Sequence, residues 1–254
     1  SATALAAPSL VVPVAARAGA VGPKTGVEAT AVRFNGDELF AMQPGDVAEF
    51  ALPTGRVQHY TLERMIDYGG GIRSWVGKSA IPGSEEQAIV TQGPGGAFGW
   101  MRTPEAEWRI FPGDGHEWLA RRAPMNFAPR FAGGDAIVPP DDPPDLAPFK
   151  GIATPMPTLA QQKALMAKAA PTPGFTVDLM VLYTPDIATK LGAGLLPMIY
   201  NLVTSANAAY VGSEIALTLR LVNASLVNLP NSVASNDALA SMNNGAAGTV
   251  NALF

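Results

Sequence analysis

Phe175-Thr176-Val177-Asp178-Leu179-Met180-Val181-Leu182-Tyr183, ended by Thr184-Pro185, is the stretch on which the reading of the fold rests. Apolar residues fall on both faces of the run, and Pro185 lacks the amide that a ladder needs, so a buried strand is expected. Downstream, Leu196, Ile199, Leu202, Val203, Ala206 and Tyr210 recur at three and four residues, the spacing of one helix face. Ile215-Ala216-Leu217-Thr218-Leu219-Arg220-Leu221-Val222 is then a second apolar strand. Strand, helix, strand predicts a βαβ unit, with parallel strands and a right-handed crossover.

The particular residues say more than the pattern. Val177 to Pro185, Asn207-Ala208-Ala209-Tyr210, Ser213 and Leu217 to Val222 resemble the start of the catalytic domain of secreted bacterial zinc metalloendopeptidases. The class is that of the metzincins, and the closest look-alike is the peptidyl-Asp metalloendopeptidase family. Trp75-Val76-Gly77-Lys78 and the β-rich segment around it are similar to the pro-regions of the same precursors. In the complete enzyme the resemblance implies a zinc held by three side chains, an activated water and a Glu as base. That chemistry is written H-E-x-x-H. The chain has only two histidines, His59 and His116, and His116-Glu117-Trp118-Leu119-Ala120 places Ala120 where the second ligand belongs. The resemblance therefore implies a protease zymogen, a propeptide followed by the start of a catalytic domain. No catalytic or metal residue is expected in this chain, and no zinc is expected on it alone. Its implied partners are the missing C-terminal half of the catalytic domain and protein or peptide substrates. The pro-region would inhibit the protease or assist its folding.

Composition narrows the function classes. The net charge is −4, and charged residues make up only 15% of the 254. Nothing here calls for nucleic acid or an anionic membrane surface. Zero cysteines exclude disulfides, thiolate catalysis and Cys-based zinc sites together. No apolar stretch approaches the roughly 20 residues of a membrane helix. Ala4-Leu5-Ala6 has the A-x-A pattern of a signal-peptide remnant, or belongs to an Ala-rich tail. The expected setting is secreted, extracellular or periplasmic.

Along the chain, residues 1–30 have no sustained period and are expected to be a flexible leader. Residues 31–122 are short alternating segments separated by turns such as Pro53-Thr54-Gly55, Gly69-Gly70-Gly71 and Pro112 to Gly115. Strands at spacings of roughly 8–12 residues indicate an antiparallel meander, sandwich or open barrel. Residues 123–174 are a Pro-rich linker with the activation region, and Val138-Pro139-Pro140-Asp141-Asp142-Pro143-Pro144-Asp145 forms neither helix nor central strand. Residues 175–254 hold the start of the catalytic domain. The expected fold is α+β with two domains: an antiparallel all-β pro-domain, then an incomplete α/β (βαβ) metzincin-like half-domain.

Several positions invite chemistry. Phe34-Asn35-Gly36-Asp37 is similar to the F-x-G-D of astacin pro-segments, which makes Asp37 a candidate zinc-capping carboxylate; Asn-Gly and Gly-Asp are also common turn chemistry, the preferred reading here. His59 and His116 would make a metal pair or two ordinary strand histidines. Gly93-Pro94-Gly95-Gly96-Ala97-Phe98-Gly99 lacks the Lys-Ser/Thr of a phosphate loop and reads as a glycine hairpin. Trp75, Trp100, Trp108 and Trp118 recur through the β-rich half. They pack its interior, or line a face for sugars. The latter gives the alternative function, a non-catalytic extracellular β-module that binds carbohydrate or a protein partner.

Overall fold

The structure is a computed structural model that describes residues 9–14, 29–113, 115–122, 152–153 and 174–227. It divides into two compact units. The first holds a β-barrel together with residues 174–178 and 193–220; the second holds residues 152–153, 179–192 and 221–227.

Nine strands close the barrel: β1 (Ser9–Pro13), β2 (Ala29–Phe34), β3 (Val47–Ala51), β4 (Val57–Gly69), β5 (Ile72–Ser79), β6 (Gln87–Gly93), β7 (Gly96–Arg102), β8 (Glu107–Gly113) and β9 (His116–Arg121). Their order around the wall is β1-β2-β9-β8-β7-β6-β5-β4-β3. Every pairing is antiparallel except β1 with β3, which is parallel and closes the ring. Ser9–Pro13 lies within the expected leader but is the closing strand, tied to β2 through Val11 and Phe34 and to β3 through Ser9 and Glu49. A closed ring leaves no sheet edge exposed, so closure itself removes a liability that an open meander would carry.

The interior is filled by side chains. Phe50, Tyr60, Leu62, Trp75, Val90, Met101, Ile110 and Leu119 pack there, and α1 (Gly36–Ala41) adds Leu39, fully buried. Phe50 meets the Tyr60 ring edge-on at 5.3 Å and the Trp75 ring at 5.7 Å. The Trp75 indole lies across Gly77 so closely that a Cβ at 77 would come within 2.0 Å of the ring. Residue 77 must therefore lack a side chain for Trp75 to occupy the barrel centre.

A bulge in β4 shapes the outer wall. Gln58, Tyr60 and Leu62 are buried before it, and the register slips between Leu62 and Arg64. One extra residue reverses which side chains point outward. Met65 then packs on the core, while Arg64 pairs with Val76 and Ile66 with Ser74 on the opposite face.

The first unit also contains α3 (Leu195–Gly212), which rests on β5, β6 and β7. Phe175 N–H donates to the Ala216 carbonyl at 2.9 Å, and Arg220 grips Asp178 through two bonds of 2.6 Å. The Arg220 hydrogen bonds hold the Asp178 carboxyl below its ordinary range. In the second unit, α2 (Pro185–Leu191) starts with Pro185 in its first turn, where a missing N–H costs nothing. There β10 (Ile152–Ala153) pairs antiparallel with the end of β12 (Leu217–Leu226), and Val227 N–H donates to the Tyr183 carbonyl. β11 (Phe175–Tyr183) neighbours β12. Bonds at both their starts and their ends set these two strands parallel.

The expected fold class needs correction. The described molecule is mainly β, dominated by a closed nine-strand barrel with few helices, and not an α/β metzincin half-domain. Strand, helix and strand do occur in the expected order, but α3 lies on the barrel wall. Its Leu202, expected on the buried face, is 54% exposed, and Phe175, expected in a buried strand, is 82% exposed. The linker of residues 123–174 lies outside the described residues except for 152, 153 and 174.

Candidate functional site

The most elaborate polar arrangement among the described residues lies where α3 meets the wall. Four strands supply it, because outward positions in adjacent strands stand side by side. Ser74 on β5 stands opposite Thr91 on β6, and Val76 opposite Ile89. The β4 bulge adds Tyr68, and β7 adds Phe98 and Trp100. From α3 come Pro197, Tyr200, Asn201, Thr204, Ser205 and Ala208, which recur at three and four residues and so form one face.

Apolar contacts set the distance between helix and wall. Ala208 packs with Val76 and Ile89, and Trp100 covers them. The Tyr68 and Tyr200 rings stack at 4.1 Å with 22° between planes. Burial raises both phenols, Tyr200 to about 12, so both are neutral at ordinary pH.

The polar contacts join helix and wall in one connected network. Asn201 Nδ2 donates to the Phe98 carbonyl at 3.2 Å, which fixes the amide orientation because a carbonyl can only accept. The same nitrogen donates to Thr91 Oγ1 at 3.1 Å. Thr204 Oγ1 donates to the Tyr200 carbonyl at 2.7 Å and toward Ser74 Oγ at 3.0 Å, one proton shared between two acceptors. Tyr68 OH lies 2.7 Å from the same oxygen and Ser74 Oγ lies 2.6 Å from Thr91 Oγ1, and in both pairs either hydroxyl can donate. Asn201, Thr91, Ser74, Thr204 and Tyr68 thus form one connected polar network that ends on the Tyr200 carbonyl. Beside this network, Trp100 Nε1 donates to Ser205 Oγ at 2.8 Å, and Ser205 donates to the Asn201 carbonyl at 2.7 Å. The hydroxyls of Tyr68, Ser74, Thr91, Thr204 and Ser205 each have a partner in the seam, as low-dielectric burial demands.

The glycine hairpin between β6 and β7 receives the start of α3. Gly95, at φ +90°, is so close to the chain before α3 that a Cβ there would lie 2.4 Å from Gly194 N. Gly93 faces Pro197 at similar range, and Gly194 lies under the Phe98 ring. The sequence signal for a hairpin was correct; that its glycines exist to let another backbone approach was not legible.

The positions singled out by sequence lie elsewhere. Asp37 is exposed in the first turn of α1. His59 lies 3.3 Å from Glu49 on the outside of the wall. His116 is half-buried at the start of β9, its ring edge-on to Trp118. Among the described residues no three His, Cys, Asp or Glu side chains gather as a metal ligand set. Trp75, Trp108 and Trp118 are buried and Trp100 is covered by α3, so the tryptophans form no open face.

Residues 14–125 match the family model described as BamI lipocalin-like domain. They contain β2 to β9 and α1, and are fewer than half of the 254 residues. No curated protein matches. Among solved structures, one described as "Structure of a chaperone-substrate complex" is 14% identical, with 35% of this chain and 76% of that chain covered and a TM-score of 0.32. The family match, which spans Trp75-Val76-Gly77-Lys78, corrects the resemblance to a metallopeptidase precursor. The segment expected to be a metzincin pro-region is instead a closed barrel similar to a lipocalin-like domain, so the hydrolase, protease, zymogen and zinc-peptidase descriptions are overturned. Neither a missing catalytic half nor peptidase substrates has support as a partner.

Proposed function

We propose that the chain is a non-catalytic protein-binding module whose barrel wall holds a helical segment, occupied here by its own α3. The observation that supports this most is the hydroxyl network, built jointly by residues more than a hundred positions apart. Surfaces that merely touch leave polar groups to solvent; this seam pairs Tyr68, Ser74, Thr91, Asn201, Thr204 and Ser205. The covered tryptophans favour a protein ligand over carbohydrate. The same proposal includes no stoichiometric zinc on this chain and an exported setting, in keeping with its few charges and lack of cysteine.

A double-mutant cycle on the full chain tests it. Tyr68→Phe and Thr204→Val each remove one end of a 2.7 Å bond across the seam. Each is expected to cost about 1–2 kcal/mol, with a coupling near 1 kcal/mol because the two share one interaction. Fully additive losses in urea unfolding would mean that the seam does not form as described.

A further inference from the structure

We propose that Asn35-Gly36 is a modification site, at which conversion of the Asn35 side-chain amide to a carboxylate releases the barrel's closing strand, β1, and prevents its return. The reactants are the chain itself and water, and the proposal is independent of how α3 docks.

β1 needs Asn35 because β2 stops short of it. The two strands pair from Pro13 with Val32 to Val11 with Phe34, and beyond Phe34 the chain leaves β2 to begin α1. Ser9 is left without a partner in β2, and the Asn35 amide takes that place, Nδ2 donating to the Ser9 carbonyl at 2.7 Å. On its other side β1 meets β3 at Ser9 and Val11, with a slip in register between them. Asn is a favoured helix N-cap, yet the Asn35 side chain makes no cap bond to α1. It serves the strand instead. The Asn35 carbonyl accepts from Leu39 N–H at 3.1 Å, so one residue ties β1 to α1 where the ring closes.

The same pair carries a reaction. An Asn followed by Gly cyclises readily, because no Cβ hinders the approach of the following amide nitrogen. Gly36 N attacks Asn35 Cγ; the N–Cγ bond forms, the Cγ–Nδ2 bond breaks, and ammonia leaves with the proton from Gly36 N. Water then opens the cyclic imide at either carbonyl and leaves an aspartate or isoaspartate at position 35. No oxidant or reductant is needed. While the barrel is closed both reacting groups are tied, the side-chain amide by Ser9 and the peptide between the two residues by Leu39 N–H. The reaction therefore follows an opening of β1 and makes it permanent. The new carboxylate only accepts, and so does the Ser9 carbonyl, so the bond cannot be remade. The exposed Asp37 and Glu38 place like charge beside it. The ladder edges of β2 and β3 are left unpaired.

Incubation of the full chain at mildly alkaline pH tests this, with peptide mapping that separates position 35 from Asn244-Gly245, the other such pair. The folded chain is expected to react at 35 on the order of tenfold more slowly than the chain in urea. Equal rates, or no reaction in the folded chain once the unfolded chain has reacted fully, overturn the proposal. The reacted folded chain, isolated by its added negative charge, should lose about tenfold in hydrogen-exchange protection of the β1 amides and keep that of β5 and β6. Asn35→Asp should do the same; if it does not fold, the reacted wild type decides. Wild-type protection of β1 after reaction overturns the proposal, and so does an equal loss at β5 and β6, which would make Asn35 a residue of general stability. Gly36→Ala keeps the Asn35 amide, and the side chain that its Cβ would meet, Gln92, can move its end aside. That variant should keep β1 protected and slow the reaction at 35 on the order of tenfold. An unchanged rate overturns the chemistry.

Discussion

Trp75→Ala should cost the barrel about 3–5 kcal/mol, the largest loss from any single core truncation. The indole is fully buried, touches Phe50 and lies across Gly77, which cannot collapse inward to fill the space. Trp75→Phe should cost clearly less. Its Nε1 has no hydrogen-bond partner, so the replacement removes an unpaired buried donor along with part of the ring. Urea unfolding followed by circular dichroism measures both. A loss under about 1 kcal/mol for Trp75→Ala would show that the barrel is not filled as described.

Gly95→Ala should release the start of α3 and destabilise the chain by about 3 kcal/mol or more, with two causes that can be separated. At φ +90° any Cβ is strained, and here it would also press on the Gly194 backbone, which has no flexible end to move aside. Gly55, at φ +82°, has nothing within 4 Å of the same construction. Gly55→Ala therefore measures the backbone strain alone, expected near 1 kcal/mol. The excess at Gly95 is the contact with α3. Equal losses at the two glycines would mean that the hairpin and the helix start do not meet.

Strands bounded by turn chemistry were legible in the sequence. Gly69-Gly70-Gly71 and Pro112 to Gly115 divide the chain where β4 gives way to β5 and β8 to β9, because tight turns need residues that tolerate positive φ. Closure was not legible. It depends on the parallel pairing of Ser9–Pro13 with β3, and five residues beside prolines carry no local sign of a partner forty positions away. Asn35-Gly36-Asp37 reads as a turn or a capping motif, yet starts α1, whose Leu39 earns its place only once the barrel surrounds it. The seam was missed for a related reason. Asn201, Thr204 and Ser205 lie outside the apolar positions that mark the helix in sequence, and only the β4 bulge, which no local pattern announces, turns Tyr68 toward them. The resemblance to peptidases failed on its own terms: β11, α3 and β12 supply strand, helix, strand without any catalytic signature, a pattern that many folds share.

The central claim is that α3 is held against the wall of β4 to β7. Nuclear Overhauser contacts in the intact chain test it most directly. The account expects strong cross-peaks between the Tyr68 and Tyr200 rings, 4.1 Å apart, and between the Trp100 indole N–H and Ser205, whose Oγ lies 2.8 Å from Nε1. A folded barrel whose α3 is helical but shows neither contact would contradict it.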